Sequence, residues 1–135
     1  MKSNQTVNKD NIITLIVEGE GNSLWGRVQY EDNLIVDEAS SIEQLKINMQ
    51  QLLFDFHDLN ADSYEFRIEY DLTVFFQQFD FLKVTKIAEV SGLNGSLVRQ
   101  YASGKKYPSA KQVEKIENAI KQLAHRLEQV HIYAH

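Results

Sequence analysis

Between Val84 and Pro108 the chain reads V-T-K-I-A-E-V-S-G-L-N-G-S-L-V-R-Q-Y-A-S-G-K-K-Y-P. In a helical register Asn94, Ser96, Arg99 and Gln100 fall opposite Leu97, Val98 and Tyr101. Such side chains read base edges: Arg matches the paired acceptors of guanine, Asn or Gln the donor–acceptor pair of adenine. Lys105, Lys106 and Tyr107 follow at the exit of that register, where ammonium groups meet phosphates. Thr85 and Lys86 open the preceding register, whose N-terminal amides favour the same anion. Gly95 departs from a full readout face, because a missing side chain weakens base contact there and costs some helix stability.

Catalytic chemistry has a weaker footing. Cysteine is absent, which excludes disulfides, a thiolate nucleophile and Cys-ligated zinc. None of His57, His125, His131 and His135 stands in an H-E-x-x-H spacing, and each reads as a solvated surface side chain. The G-E-G-N-S-L stretch lacks the third glycine of a dinucleotide fingerprint, and no G-x-x-x-x-G-K-[ST] occurs. Glu18 and Glu20 share a strand edge that could bind Mg²⁺, but no acidic residue completes a two-metal site. The expectation is a protein without catalytic residues, metal or cofactor, and not an enzyme.

The elements that position the base-reading residues are local. The sequence predicts a short amphipathic helix from about Val84 to Ser91, with Ile87, Ala88 and Val90 inward. Gly92 takes the sharp turn and Leu93 plugs it. Asn94 caps a second helix, Gly95–Ser103, which Gly104 ends. Ala88 is small where the two helices would cross. This order resembles a helix-turn-helix. Ser109 caps a further helix to about Val130, with Val113, Ile116, Ile120, Leu123, Leu127 and Val130 on an a/d stripe. Leu123, Leu127 and Val130 extend past what so small a core needs. They form a dimer seam or pack on the preceding half.

The first half reads as α+β. Residues 1–11 form a polar tail. Ile12–Glu18 and Leu24–Tyr30 make a β-hairpin across a loop of about five residues. Leu34-Ile35-Val36 is a short third strand. Ser40 with Glu43, or Ser41 with Gln44, fits a capping box for a helix of about 17 residues. Its stripe is Ile42, Leu45, Met49, Leu52, Leu53 and Phe56. Tyr64 to Asp71 alternates, with Tyr64, Phe66, Ile68 and Tyr70 inward and Glu65, Arg67, Glu69 and Asp71 outward. One helix covers one sheet face. The other presents Trp25, Arg27, Gln29, Glu65, Arg67 and Glu69, a surface that suits a partner or plain solvent.

Charge divides the same way. The whole chain of 135 residues carries −5. Residues 1–80 hold 5 basic and 15 acidic residues, a net of −10; residues 81–135 hold 9 basic and 4 acidic, a net of +5. Such asymmetry predicts two modules with different partners. The domains expected are 12–72 and 73–135. No apolar run approaches the roughly 20 residues of a membrane helix. The N-terminus lacks the apolar core of a signal peptide, so a cytoplasmic protein is expected.

The run G-K-K-Y-P-S-A-K-Q-V-E-K-I after the second helix resembles the Cro and phage-repressor-like (XRE) family, in which a G-K-x-x-P-S loop leads into the next helix. Two further stretches are D-N-L-I-V-D-E-A-S-S-I-E-Q-L-K-I-N-M and D-L-T-V-F-F-Q-Q-F-D-F-L-K-V-T-K-I-A. With them, an acidic β-β-β-α-β unit joined to a basic helix-turn-helix resembles the HicB family of antitoxins. That resemblance implies a partial ribonuclease-H-like first domain followed by an all-α DNA-binding domain. It implies a HicA-like, mRNA-cleaving toxin as partner, double-stranded operator DNA, and a homodimer or higher homo-oligomer. The family often carries G-D-T or G-D-S before the helix; here V-D-E-A-S-S stands instead. Glu18, Glu20, Trp25, Glu65 and Glu69 are the candidates for facing the toxin. The alternative is a stand-alone transcriptional regulator whose first domain senses a ligand or dimerises.

Overall fold

The computed structural model describes residues 11–20 and 22–135, with Glu20 as backbone alone. The expected tail at 1–11 therefore lies outside the described residues except for Asn11. The protein is α+β, with a four-stranded mixed sheet and, among the described residues, five α-helices. The chain divides into two compact units, Met1–Val74 and Phe75–His135.

In the first unit β1 (Ile12–Glu20), β2 (Ser23–Tyr30), β3 (Asn33–Ala39) and β4 (Glu65–Tyr70) lie in the order β3-β2-β1-β4. The first three pair antiparallel; β4 pairs parallel to β1. A parallel neighbour needs a crossover, which α1 (Ile42–His57) supplies. Pairing runs to Glu20 and Ser23, so the expected five-residue loop is a two-residue connection. The third strand is seven residues rather than three, because Asp37 to Ala39 continue the ladder opposite Gly26 to Leu24.

Ser41, not Ser40, caps α1: its hydroxyl accepts from the Gln44 amide at 3.1 Å. The Gln44 side chain donates instead to Asn48 Oδ1 at 2.8 Å, so only half of the capping box forms. Leu45, Met49 and Leu53 of α1 are fully buried against Leu15, Val17, Leu24 and Val28. Burying each such side chain is worth about 1.5–3 kcal/mol. Phe56, read as part of that stripe, is 72% exposed: it shares the angular position of Leu45, Met49 and Leu53 but lies in the last turn of the helix. His57, expected in solvent, is half-buried, with its ring edge-on to Tyr30 at 4.9 Å. A single 3-10 turn, Ala61–Ser63, precedes β4.

Phe66, Ile68 and Tyr70 pack toward the core as expected, and Tyr64, just before β4, is 5% exposed. Asp71 is not an outward strand residue. Its carboxylate accepts from the Val74 amide at 2.8 Å and opens a helix absent from the sequence reading, α2 (Leu72–Gln78). Val74 of α2 joins the first core.

In the second unit, α3 (Val84–Ser91), α4 (Gly95–Ser103) and α5 (Ala110–Glu128) stand where the capping residues place them. α3 packs on both α4 and α5. Ile87, Ala88, Val98, Tyr101, Ile116 and Ala119 are buried. Tyr101 donates its hydroxyl proton to Gln112 Oε1 and ties α4 to α5. Val113, the first position of the expected stripe, is 39% exposed, so burial starts a turn later at Ile116. No helix of the described residues is long and apolar enough to cross a membrane.

Candidate nucleic-acid interface

Two left-handed glycines shape this unit. At Gly92, with φ 75°, the Leu93 amide donates to Ala88 O at 3.0 Å and the Gly92 amide to Glu89 O at 3.3 Å. At Gly104, with φ 80°, the Lys105 amide donates to Gln100 O at 2.9 Å and the Gly104 amide to Tyr101 O at 3.2 Å. Both are Schellman closures, in which glycine avoids the Cβ clash of the left-handed region. The second holds the backbone of Lys105 directly beneath α4. The Lys106 amide also reaches Gln100 O, at 3.3 Å. The position of these two lysines follows from a helix end.

Asn94 is exposed, and its Oδ1 accepts from the Ser96 amide at 2.8 Å and the Leu97 amide at 3.2 Å. Its amide nitrogen is the atom left over for a ligand. Ser96 and Arg99 are exposed on the same helix, while Gln100 is half-buried. A Cβ built at Gly95 would lie 3.4 Å from Arg99 Nη1. The bare position that lowers helix propensity therefore leaves the guanidinium room over the first turn. Thr85, Lys86, Lys105 and Lys106 are exposed, and Tyr107 is 87% exposed in the loop to α5. Lys86 pairs with Glu89 one turn on, at 3.6 Å, a surface contact worth little.

The first turns of α3, α4 and α5 contain no acidic residue. Aspartate and glutamate normally complement the positive helix N-terminus. Here Lys86 and Lys111 stand in the first turns of α3 and α5, against the dipole. An anion brought to that end is stabilised by amides and ammonium groups together.

The open face of the first sheet collects Trp25, Arg27, Gln29, Glu65, Arg67 and Glu69 as expected. Arg27 Nε pairs with Glu18 Oε1 at 3.1 Å and Arg67 Nε with Glu69 Oε2 at 3.3 Å. Two of the candidate carboxylates are thus already matched by arginines on their own face. Glu65 is exposed; Glu20 pairs with Ser23 at the end of the β1–β2 ladder. The sequence reading passed over Leu34 and Val36, which lie opposite Gln29 and Arg27 and are 59% and 47% exposed. The alternation of L-I-V-D-E-A carried that signal.

Of the expected seam, Leu123 is half-buried, and Leu127 and Val130 are 69% and 55% exposed. Among the described residues no group of three or more His, Asp or Glu side chains stands where it could hold a metal. Comparison with protein families, with curated proteins and with solved structures finds no match to this chain.

Proposed function

We propose that this protein is a DNA-binding antitoxin of the HicB type. Its second unit is a Cro-like helix-turn-helix that represses its own operon. Its acidic first unit neutralises a basic, HicA-like toxin that cleaves mRNA. The observation that carries the reading is the α3–Gly92–α4 arrangement. An Asn94-capped helix presents Ser96 and Arg99 outward, and a Schellman closure sets Lys105 at its exit.

Other features support it. The β-β-β-α-β order, with β4 returned parallel to β1, is compatible with a partial ribonuclease-H-like unit. The acidic balance of that unit matches a partner that handles phosphate, since opposite charge raises association rate and specificity. The exposed Leu127 and Val130 suit a homodimer seam, which would set two recognition helices on half-sites about one helical turn apart. Toxin occupancy and operator binding are then thermodynamically coupled.

The test is operator binding at several salt concentrations. Arg99→Ala relaxes base preference by about 1–3 kcal/mol at one position, whereas Lys105→Ala weakens all sequences alike and lowers the salt slope by about one. Unchanged affinity in both variants refutes the DNA-binding reading. Co-expression with a small basic neighbouring gene product tests the antitoxin half: relief of growth arrest supports it. Without such a neighbour the reading reduces to a stand-alone regulator.

A further inference from the structure

We propose that the segment His131–His135 of one copy of this chain adds as an outer strand to the β3 edge of a second copy. Two unfilled surfaces carry this, one in each unit. β3 pairs with β2 alone, through an unbroken register from Leu24↔Ala39 to Tyr30↔Asn33. Its far side turns backbone groups away from β2, and of these the Glu38 amide donates to Asp37 Oδ1 at 2.8 Å, which leaves Leu34 and Val36 as the open stretch. Natural proteins usually blunt such an edge with charged side chains, lysine above all, with proline or with a bulge, and β3 has only the acidic pair Asp37 and Glu38 near one end. Asn33–Ala39 contains no lysine, no proline and no bulge. Leu34 and Val36 on its outer face stand exposed beside the backbone edge.

The segment after α5 reads H-I-Y-A-H. β-branched and aromatic residues at its centre favour a pleated surface. It takes no regular secondary structure in the protomer, and Ile132 and Tyr133 are 91% and 77% exposed. The Tyr133 and His135 rings meet edge-on at 5.0 Å, alternate residues on one side as along a strand.

Charge selects between the strands that might fill the edge. β3 and its entry turn carry Glu31, Asp32, Asp37 and Glu38 and no cation. Pairing β3 with a second β3 about a two-fold axis must keep paired residues on one face. An axis at Ile35 sets Asp32 against Glu38, and one at Val36 sets Leu34 against Glu38. The first opposes like charges, which destabilise a sheet; the second sets a carboxylate against an apolar side chain and gains no favourable cross-strand pair. His131–His135 has no carboxylate side chain and two imidazoles that can donate to Asp37 or Glu38. Reciprocal exchange between two copies satisfies both edges in a closed pair.

The chain has no cysteine, which gives a clean test on the full-length protein. A Val36→Cys chain and a Tyr133→Cys chain are mixed and treated with a short bismaleimide. The expected product is a cross-linked heterodimer from the mixture and none from either chain alone. In sedimentation, Val36→Lys and Tyr133→Asp each raise the association midpoint at least ~10-fold, and an equimolar mixture recovers about half of that shift on a logarithmic scale, since one of the two junctions stays intact. Intact unfolding curves, by Trp25 fluorescence for the first unit and by far-UV dichroism for the helices of the second, check that both variants fold. Cross-linking of the Val36→Cys chain with itself overturns the proposal in favour of edge-to-edge pairing. Cross-linking only within a chain that carries both cysteines overturns it in favour of the protomer's own edge. A monomeric wild type, or Val36→Lys without effect, also overturns it.

Discussion

Gly26 sits in the middle of β2, where a glycine ordinarily weakens a strand. The reason for it lies in the helix α1 above this face and in the neighbouring strand β1. A Cβ built there would stand 2.8 Å from Leu45 Cδ2, 3.0 Å from Leu45 Cγ and 3.1 Å from Leu15 Cδ1. Both leucines are fully buried, so neither can swing away. Gly26→Ala therefore overpacks the core at a cost of about 1–3 kcal/mol. The shorter list of unfolded conformations gives back about 0.4–1 kcal/mol. The expected net loss is about 1–2 kcal/mol. Leu45→Ala alone leaves a cavity and loses about 2–5 kcal/mol. In the double variant the new methyl moves into the space the leucine left, so the combined loss falls short of additivity by at least ~1 kcal/mol. Urea unfolding followed by fluorescence is the assay, because Trp25 is the sole tryptophan and neighbours Gly26. With a slope of about 1 kcal/mol/M, Gly26→Ala lowers the midpoint by about 1–2 M. Additive losses within about 0.5 kcal/mol, or a more stable Gly26→Ala, refute the reasoning.

The other predictions concern single groups. Tyr64 is buried with its hydroxyl unpartnered among the described residues, so Tyr64→Phe stabilises the first unit by about 1 kcal/mol in the same urea assay. Burial also pushes the Tyr64 phenol above its ordinary value of 10.0. Tyr70 moves the same way, through burial first and the Glu43 charge second. A folded value above the unfolded one keeps its stability below pH 10 and loses it as pH climbs further, so alkaline unfolding starts there and Tyr64→Phe makes it shallower. Asn94→Ala removes the acceptor of two helix amides and lowers the melting temperature of the second unit by about 4–8 °C in far-UV dichroism, for a loss of about 1 kcal/mol. Asn94→Asp keeps the cap and the melting temperature, and on the proposed DNA-binding function it loses operator affinity through phosphate repulsion. The same substitution changes sign between two glycines of this unit: Gly104→Ala, at φ 80°, costs about 1 kcal/mol, whereas Gly95→Ala, inside helical backbone, gains a few tenths.

What the sequence disclosed follows from how local the cause is. α3 ends, and α4 begins and ends, at the residues read from the chain, because the closures at Gly92, Asn94 and Gly104 are hydrogen bonds spanning two to six positions. α2 went unread for the same reason reversed. Asp71 closes an alternating strand pattern and its capping role shows only once the Val74 amide is in reach, while the Phe-rich turn after it carries no helical stripe. The placement of β4 beside β1 depends on the α1 crossover, which no short window contains. The candidate partner face shows the limit most clearly. Its residues are legible by alternation, but the Arg27–Glu18 match is a diagonal neighbour across two strands, visible only with the register. Leu34 and Val36 gained meaning only when β3 proved to be seven residues long and an edge.

The parallel pairing of β1 with β4 joins residues 53 positions apart, from Ile12↔Glu65 through Val17↔Tyr70. On a ribosome adding about 5–20 residues per second, β1 therefore waits roughly 3–10 s for its second neighbour. The β1–β2–β3 meander closes early from local contacts, since loop closure over long separations comes late. For that interval I-I-T-L-I-V faces solvent as an open edge. α1 emerges before β4 and covers the apolar face while the edge is still open. A chain that stalls between His57 and Glu65 is the aggregation-prone species of this protein, and the α3–α4–α5 part, built from short-range contacts, is its fastest-folding part.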